Sequence, residues 1–287
     1  MAAQTRRLDG GDLALQREVA GKRLVWLEER GYSRPPGWPL PVKPVSPRRA
    51  FELFFFEYLG VDPTELPVVD ESDSRITWLS ENPCSTLEAC VRLGLDTREV
   101  CRAAYEKPTQ MFFSQLDPRL RFVRDYSTLR PQAPHCRESI ARVDLEEYMR
   151  EAIYEAQASK AEGNKGYGAV LVMGDQVVAR ERDSVSTDED PSQHGELKAI
   201  CEAARLLGST DLCGALLVST CEPCPMCAGL AVWSNVTTIV YGSSIEDTAA
   251  MGRTRIMVGA AEIAERSPFT LEVIGGVLKE ECDRLYA

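Results

Sequence analysis

Two short groups of residues in the second half of the chain have side chains suited to chemistry. One is the triplet His194–Glu196, and the other is the segment Pro223–Cys227, which contains two cysteines three positions apart. A catalytic zinc ion is held by three nitrogen or sulfur ligands and keeps a fourth position open for water. His194, Cys224 and Cys227 supply such a set, so the sequence predicts one bound zinc ion.

The spacing of the two cysteines suits a helix that begins at this point. One helical turn brings side chains three positions apart to the same side, and a helix N-terminus stabilises the thiolate form. Glu196 lies two residues beyond His194, near the predicted ion but not as a ligand. It is therefore predicted to be catalytic, moving protons between zinc-activated water and the substrate. The alternative is a closed structural zinc site, with His135 or another thiol as the fourth ligand.

Both groups resemble the H-x-E and P-C-x-x-C motifs of the cytidine deaminase superfamily. The stretch Ser219–Cys227 (STCEPCPMC) is similar to the SCEPCPMC of guanine deaminases, and Asp190–Glu196 (DPSQHGE) resembles their DPTAHAE. The resemblance covers about residues 144–287, half of the chain. It implies a mixed five-stranded sheet between helices, one zinc ion per chain, hydrolytic release of ammonia from an amino-heterocycle, and a homodimer.

The same resemblance implies four substrate-binding residues: Tyr167, Asp183, Trp233 and Asp247. Tyr167 would stack on the substrate ring, and Trp233 and Asp247 match residues of guanine deaminases. Asp183 stands where the family usually has a base-reading asparagine, and an ionised aspartate only accepts hydrogen bonds. Two carboxylates in one pocket would favour a substrate edge rich in N–H donors. They would also repel a phosphorylated nucleotide, so a free base or small aminated heterocycle is expected. The alternatives are core positions for Tyr167 and Trp233 and a solvated turn for Asp183.

Hydrophobic spacing predicts the elements that position these groups. An amphipathic helix is expected from Asp144 to about Ala161, after a start that resembles a capping box. The later segments are expected to be strands at 169–173, 177–182, 215–220, 237–241 and 269–274 and helices at 194–207 and 224–233. This order is typical of a three-layer α/β domain, so the predicted fold class is α/β, with a cytidine-deaminase-like domain over residues 141–287.

Residues 1–140 are predicted to form a mainly helical N-terminal domain. The expected helices span residues 13–30, 49–59, 86–93 and 97–105, with a proline-dense connector at 33–48 and an irregular segment at Pro108–Cys136. Cys84, Cys90, Cys101 and Cys136 could bind a second metal ion together with His135, but core thiols are the favoured interpretation. The arginines and aromatic residues between 113 and 137 could bind an anionic ligand or RNA, although a packed helical domain is preferred.

Composition and charge argue against several function classes. The 287 residues are 44% hydrophobic and 27% charged, which is typical of a globular chain that can bury a core. Residues 144–287 contain 24 acidic and 12 basic side chains, and this balance would repel a phosphate backbone. The N-terminus has no apolar signal segment, and the charge-free stretch Pro223–Ile245 is too polar to span a membrane. A cytoplasmic location without a membrane partner is therefore expected.

The sequence thus predicts a zinc-dependent aminohydrolase that acts on a small amino-substituted heterocycle, similar to guanine, cytosine or a related free base. One alternative is a deaminase of adenosine or cytidine in tRNA or another nucleic acid, which the acidic charge of residues 144–287 disfavours. Another is a regulatory binding protein with a vestigial deaminase domain. Retention of every catalytic residue type disfavours that alternative.

Overall fold

The structure is a computed structural model that describes residues 21–32, 44–267 and 271–287. Lys22–Val143 and Asp144–Ala287 lie in two different compact units, called here the N-terminal unit and the C-terminal unit. The predicted helix at residues 13–30 is described only from residue 21, where helix α1 covers residues 21–28. Most of the predicted connector, residues 33–43, lies outside the described residues.

The N-terminal unit combines helices with a four-stranded antiparallel sheet of order β1-β2-β4-β3. Its further helices are α2 (Pro47–Glu52), α3 (Ser85–Leu93), α4 (Thr97–Cys101) and α5 (Lys107–Leu116), and its strands are β1 (Val68–Glu71), β2 (Arg75–Ser80), β3 (Leu120–Asp125) and β4 (Cys136–Arg142). Wider π-helical turns, Leu53–Tyr58 and Arg102–Glu106, continue α2 and α4. Helical residues outnumber strand residues in this unit.

The prediction of an irregular segment at Pro108–Cys136 is wrong, because this segment contains most of α5 and all of β3. Pro108 lies in the first turn of α5, directly after the π-helical turn Arg102–Glu106. The sheet itself was not predicted: its strands are short, and although β1 and β2 form a local hairpin, β2 pairs with β4 about 60 residues further along the chain. Its core is aromatic: Phe51, Phe55 and Trp78 pack with ring centroids 4.8 to 5.3 Å apart.

The C-terminal unit contains the predicted mixed five-stranded sheet between helices, which is confirmed. Its strands are β5 (Gly168–Met173), β6 (Gln176–Arg182), β7 (Leu216–Cys221), β8 (Thr238–Ser243) and β9 (Glu272–Ile274), in the order β6-β5-β7-β8-β9. Its helices are α6 (Leu145–Ala161), α7 (Gly195–Leu207), α8 (Pro225–Trp233), α9 (Ile245–Ala250), α10 (Ala260–Arg266) and α11 (Lys279–Asp283). Residues 268–270, at the start of the last predicted strand, lie outside the described residues.

Alternation along the strands explains the layers of the C-terminal unit. Leu171, Leu217 and Ile239 pack in one cluster with residues of α7, α8 and α10. The neighbouring Val170 and Val218 are equally buried but point to the opposite face, because successive strand residues alternate. Helix α6 packs against β5, β6 and β7. Strands that are buried on both faces have continuous apolar sequences, and β5 and the first half of β7 show this pattern.

Strand direction brings the ends of three strands to one edge of the sheet. Strand β5 is antiparallel to both β6 and β7, so β6 and β7 run in the same direction, and β8 is parallel to β7. The segments that follow Arg182, Cys221 and Ser243 therefore leave the sheet at the same edge. In open α/β sheets, binding sites form outside the carboxyl ends of the strands.

None of the described helices is both long and apolar enough to cross a bilayer. A cytoplasmic location stays a prediction.

Replacing Gly168 by alanine tests the packing of α6 against β5. A Cβ at this position would lie 2.1 Å from the backbone oxygen of Ala152 and 2.5 Å from the backbone nitrogen of Ala156. Because backbone cannot move aside, we expect Gly168→Ala to lower the free energy of unfolding by at least about 2 kcal/mol in urea denaturation. Gly229→Ala, a matched change in α8 with nothing within 4 Å, should be neutral or stabilising. Equal stability of both variants would contradict the close approach.

Candidate metal centre and active site

Three potential metal ligands lie together at the carboxyl edge of the sheet. The Nδ1 atom of His194 is 3.5 Å from Sγ of Cys227 and 3.7 Å from Sγ of Cys224, and the two sulfur atoms are 3.7 Å apart. Tetrahedral zinc, with its usual bond lengths, separates two sulfur ligands by about 3.8 Å and a sulfur from a nitrogen ligand by about 3.6 Å. The three atoms therefore fit a zinc ion that would touch all of them.

Among the described residues, His194, Cys224 and Cys227 form the one cluster of potential metal ligands. No other described residue adds a fourth protein ligand to it. His135 and the cysteines of the N-terminal unit are not part of it. The alternative of a closed structural zinc site therefore lacks its fourth ligand among the described residues. The described part of the N-terminal unit also contains no group of three side chains that could form the second metal site. A three-ligand site leaves one position for water or substrate.

Two helix starts carry the ligands. His194 is the N-cap residue of α7 and Cys224 is the N-cap residue of α8, and neither side chain forms a capping hydrogen bond. Both side chains are therefore available to an ion. The loop before His194 is fixed by Asp190, whose carboxylate accepts hydrogen bonds from the backbone and hydroxyl of Ser192 and from the amide of Gln193.

The electrostatics of the cluster favour an anionic sulfur. The hydrogen bond that Cys224 shares with Cys227, with further help from His194, lowers the pKa of Cys224 to about 4. The hydrogen bond with Cys224 raises the pKa of His194, and the negative charges of Glu196 and Asp183 add to this effect. Thiolates are the form in which cysteine binds metal ions. The hydrogen bond with Cys224 also raises the pKa of Cys227. Cys224 is therefore the ligand already in its metal-binding form, and His194 and Cys227 would release their protons when an ion binds.

Glu196 lies beside the cluster and is almost completely buried. Its Oε1 accepts a hydrogen bond of 2.9 Å from the hydroxyl of Ser219, and its Oε2 is 3.8 Å from Sγ of Cys227. Burial raises the pKa of this carboxyl group. One oxygen is held by β7 while the other faces the cluster, which is the arrangement required of a group that exchanges protons there.

Sequence reasoning missed Glu222, which braces the ligand loop. This buried carboxylate accepts hydrogen bonds from the backbone nitrogens of Ile245 (3.0 Å) and Ala260 (2.8 Å), at the starts of α9 and α10. It directly precedes Pro223 and Cys224, so it ties the end of β7 to two helices. A sequence signal for this role was present. Glu222 lies between a buried strand and the P-C-x-x-C segment, and a carboxylate that is buried there needs hydrogen-bond partners.

Asp183 lies near the cluster, at the end of β6. It is 2% exposed, so the solvated turn considered from the sequence is wrong. Its Oδ1 accepts a hydrogen bond of 3.3 Å from the backbone nitrogen of Lys165, and its charge acts on His194. Its role in substrate binding stays a prediction.

Two of the other candidate substrate residues, Tyr167 and Asp247, have local partners of their own. The ring of Tyr167 stacks on Tyr286 with centroids 5.0 Å apart. Asp247 closes a capping box with Ser244 and lies 3.0 Å from Nζ of Lys279. Asp247 is thus paired in this structure, and the roles of Tyr167 and Asp247 in substrate binding stay predictions.

Trp233 is 79% exposed at the end of α8, so it is not the helix-end core residue that was the alternative to substrate binding. The structure does not bring its side chain into the hydrogen-bonded group around Glu196. Its role in substrate binding stays a prediction.

Comparison with known proteins agrees with this geometry. Residues 142–243 match the family described as the cytidine and deoxycytidylate deaminase zinc-binding region. The tRNA-specific adenosine deaminase of Bacillus subtilis (strain 168) is 39% identical over 135 residues, which cover 47% of this chain and 81% of that protein. The guanine deaminase of the same bacterium is 36% identical over 86 residues, 30% of this chain and 55% of that protein. A probable cytosine deaminase of Schizosaccharomyces pombe is 25% identical over 139 residues, 47% and 85% of the two chains.

Metal analysis tests the cluster. We expect about one zinc ion per chain in the purified protein, and Cys224→Ala and Cys227→Ala should each lose most of it, because two ligands cannot retain the ion tightly. The control is Cys201→Ala, a half-buried cysteine of α7 outside the cluster, which should keep its zinc. Full zinc content in both ligand variants, measured by inductively coupled plasma mass spectrometry, would show that the ion is held elsewhere.

Proposed function

The chain belongs to the cytidine deaminase superfamily and is a deaminase, and on that premise we propose that it hydrolyses a small amino-substituted heterocycle in a zinc-dependent reaction. The observation that carries the proposal is the ligand triangle of His194, Cys224 and Cys227 with sides of 3.5 to 3.7 Å, beside the buried carboxylate of Glu196. A three-ligand site with an adjacent carboxylate suits hydrolysis rather than structural support.

Each residue has a defined part in this reaction. His194, Cys224 and Cys227 would hold the zinc ion, which when bound supplies the Lewis acidity that makes water a nucleophile at neutral pH. Glu196 would take a proton from the attacking water and deliver it to the ring nitrogen and then to the departing amine. A C–O bond forms, the exocyclic C–N bond breaks, and ammonia leaves. Ser219, through its hydrogen bond to Oε1, would keep the carboxylate in place.

Charge supports a small substrate over tRNA. Relatives include deaminases named for tRNA adenosine, for guanine and for cytosine. Residues 144–287 carry twice as many acidic as basic side chains, and a phosphate backbone is bound by surplus positive charge.

We also propose a homodimer, as the family resemblance implies. Helix α8 exposes Met226 (42%) and Trp233 (79%). These residues are seven positions apart, which places them on the same side of the helix. An exposed apolar stripe of this kind is typical of a protein–protein contact.

Substitution of Glu196 tests the proposed chemistry. Glu196→Gln preserves shape but cannot accept and return a proton, so we expect ammonia release to fall by at least ~10²-fold while zinc content is unchanged. Glu202→Gln, a matched change on the exposed part of α7, should retain activity. Loss of zinc together with activity would instead make Glu196 a ligand or a structural residue.

Asp183→Asn tests whether the side chain at the end of β6 recognises the substrate by hydrogen bonds. Asparagine can both donate and accept hydrogen bonds, whereas aspartate only accepts, and an unmatched buried acceptor costs about 1–3 kcal/mol. We expect the variant to shift its preference by tenfold or more toward guanine or cytosine and away from diamino-substituted rings. The measurement is a competition assay on both proteins, with Asp175→Asn in the β5–β6 turn as control. An unchanged ranking of substrates would show that Asp183 has a structural role only.

A further inference from the structure

Arg255 lies beside the candidate active site and is held by three neutral groups. Its Nη2 donates hydrogen bonds to the hydroxyl of Tyr167 (2.7 Å) and to Sγ of Cys221 (3.2 Å), and its Nε donates to the hydroxyl of Thr248 (2.9 Å). Burial raises the pKa of the Cys221 thiol to about 12 and also raises the pKa of Tyr167. Both partners are therefore uncharged at neutral pH, and the guanidinium receives no compensating charge from them.

No carboxylate of the described residues lies within ion-pairing distance of Arg255. The unit has twice as many acids as bases, and five of its eight arginines form ion pairs with described carboxylates. The paired arginines of the unit are Arg150, Arg180, Arg182, Arg205 and Arg266. A partly buried guanidinium without a counter-charge is costly, so its position favours an anion supplied by a ligand.

The position of Arg255 relative to Glu196 follows from strand β7. Ser219 and Cys221 are two residues apart, so their side chains point to the same face, about 7 Å from each other. Ser219 holds Glu196, and Cys221 contacts Arg255. The charges of Glu196 and Arg255 both act on Cys221 and on Tyr167. Glu196 and Arg255 therefore contact neighbouring positions on the same face of β7.

A second arginine extends the positive charge. Arg253 donates a hydrogen bond of 3.4 Å to the backbone oxygen of Tyr286, and its guanidinium carbon lies 5.8 Å from the centre of that ring. Tyr286 stacks on Tyr167, whose ring centre lies 4.7 Å from the guanidinium carbon of Arg255. Two guanidinium groups thus flank one pair of stacked tyrosines. Arg253, like Arg255, has no ion pair with a described carboxylate.

We propose that Arg255, assisted by Arg253, forms a subsite for an anionic oxygen group, a phosphate or a carboxylate, carried by the amino-heterocycle that the enzyme deaminates. This inference rests on the proposed function and narrows its substrate class. A planar guanidinium presents paired N–H donors that match the oxygens of these two groups. Lys279 contacts both Asp247 and Asp283, so it offsets part of the negative charge at Asp247, one of the two carboxylates expected in the pocket.

Binding measurements test the subsite without requiring turnover. Isothermal titration calorimetry is performed with inorganic phosphate, with guanosine 5′-monophosphate against guanosine, and with 5-carboxycytosine against cytosine. The proteins are wild type, Arg255→Gln, Arg255→Lys and the control Arg266→Gln, which removes the same charge from the exposed part of α10. Zinc content and melting temperature confirm that each variant is folded. Phosphate and carboxylate probes distinguish the two sources of the anion.

We expect wild type to bind at least one anionic probe ten times or more tightly than its neutral counterpart. Arg255→Gln should remove this difference, Arg255→Lys should keep part of it, and Arg266→Gln should match wild type within twofold. The proposal is overturned if wild type binds none of the anions saturably, if Arg255→Gln binds them unchanged, or if Arg266→Gln loses as much as Arg255→Gln. Ammonia release is assayed separately: its absence in wild type counts against the deaminase proposal, while binding that depends on Arg255 would still support the subsite.

Discussion

The shared direction of β6 and β7 is the constraint on which the site depends. Because β5 lies between them and runs the opposite way, both strands end at one edge, and the segments leading to His194 and Cys224 start from there. Each segment then begins a helix, so two positive helix ends converge on a cluster that contains thiolate character. Reversing either strand would separate the histidine from the cysteines by the length of the sheet.

Two buried carboxylates near this edge differ in their hydrogen bonds. The difference suits Glu222 to a structural role and Glu196 to proton exchange. Glu222 has both oxygens bound by backbone N–H groups, from Ile245 and Ala260, and serves as a fixed brace. Glu196 has one oxygen bound by Ser219, while the other faces Cys227. A fully bonded buried carboxylate stabilises the fold, whereas one with a free lone pair next to a metal site is suited to proton exchange.

The sheet and the two ligand-bearing helices of the C-terminal unit could be predicted from the sequence, because short stretches of sequence mark each of them. Apolar runs mark the strands, and the H-x-E and P-C-x-x-C patterns place their helix starts directly. The N-terminal sheet was missed because its pairing joins Arg75 to Ala141 and Leu120 to Arg142, contacts that no local pattern encodes. Arg255 was missed for a related reason. Its meaning depends on the absence of a nearby carboxylate, and that becomes visible only in three dimensions.

The three potential metal ligands come together only through the pairing of β5 with β6 and β7. They come from two segments on different strands, and β5 must pair with both β6 and β7 before those segments meet. No short piece of the chain contains the complete set, unlike a zinc finger whose ligands lie within one small motif. A zinc ion would therefore meet its complete ligand set only where the central sheet has assembled.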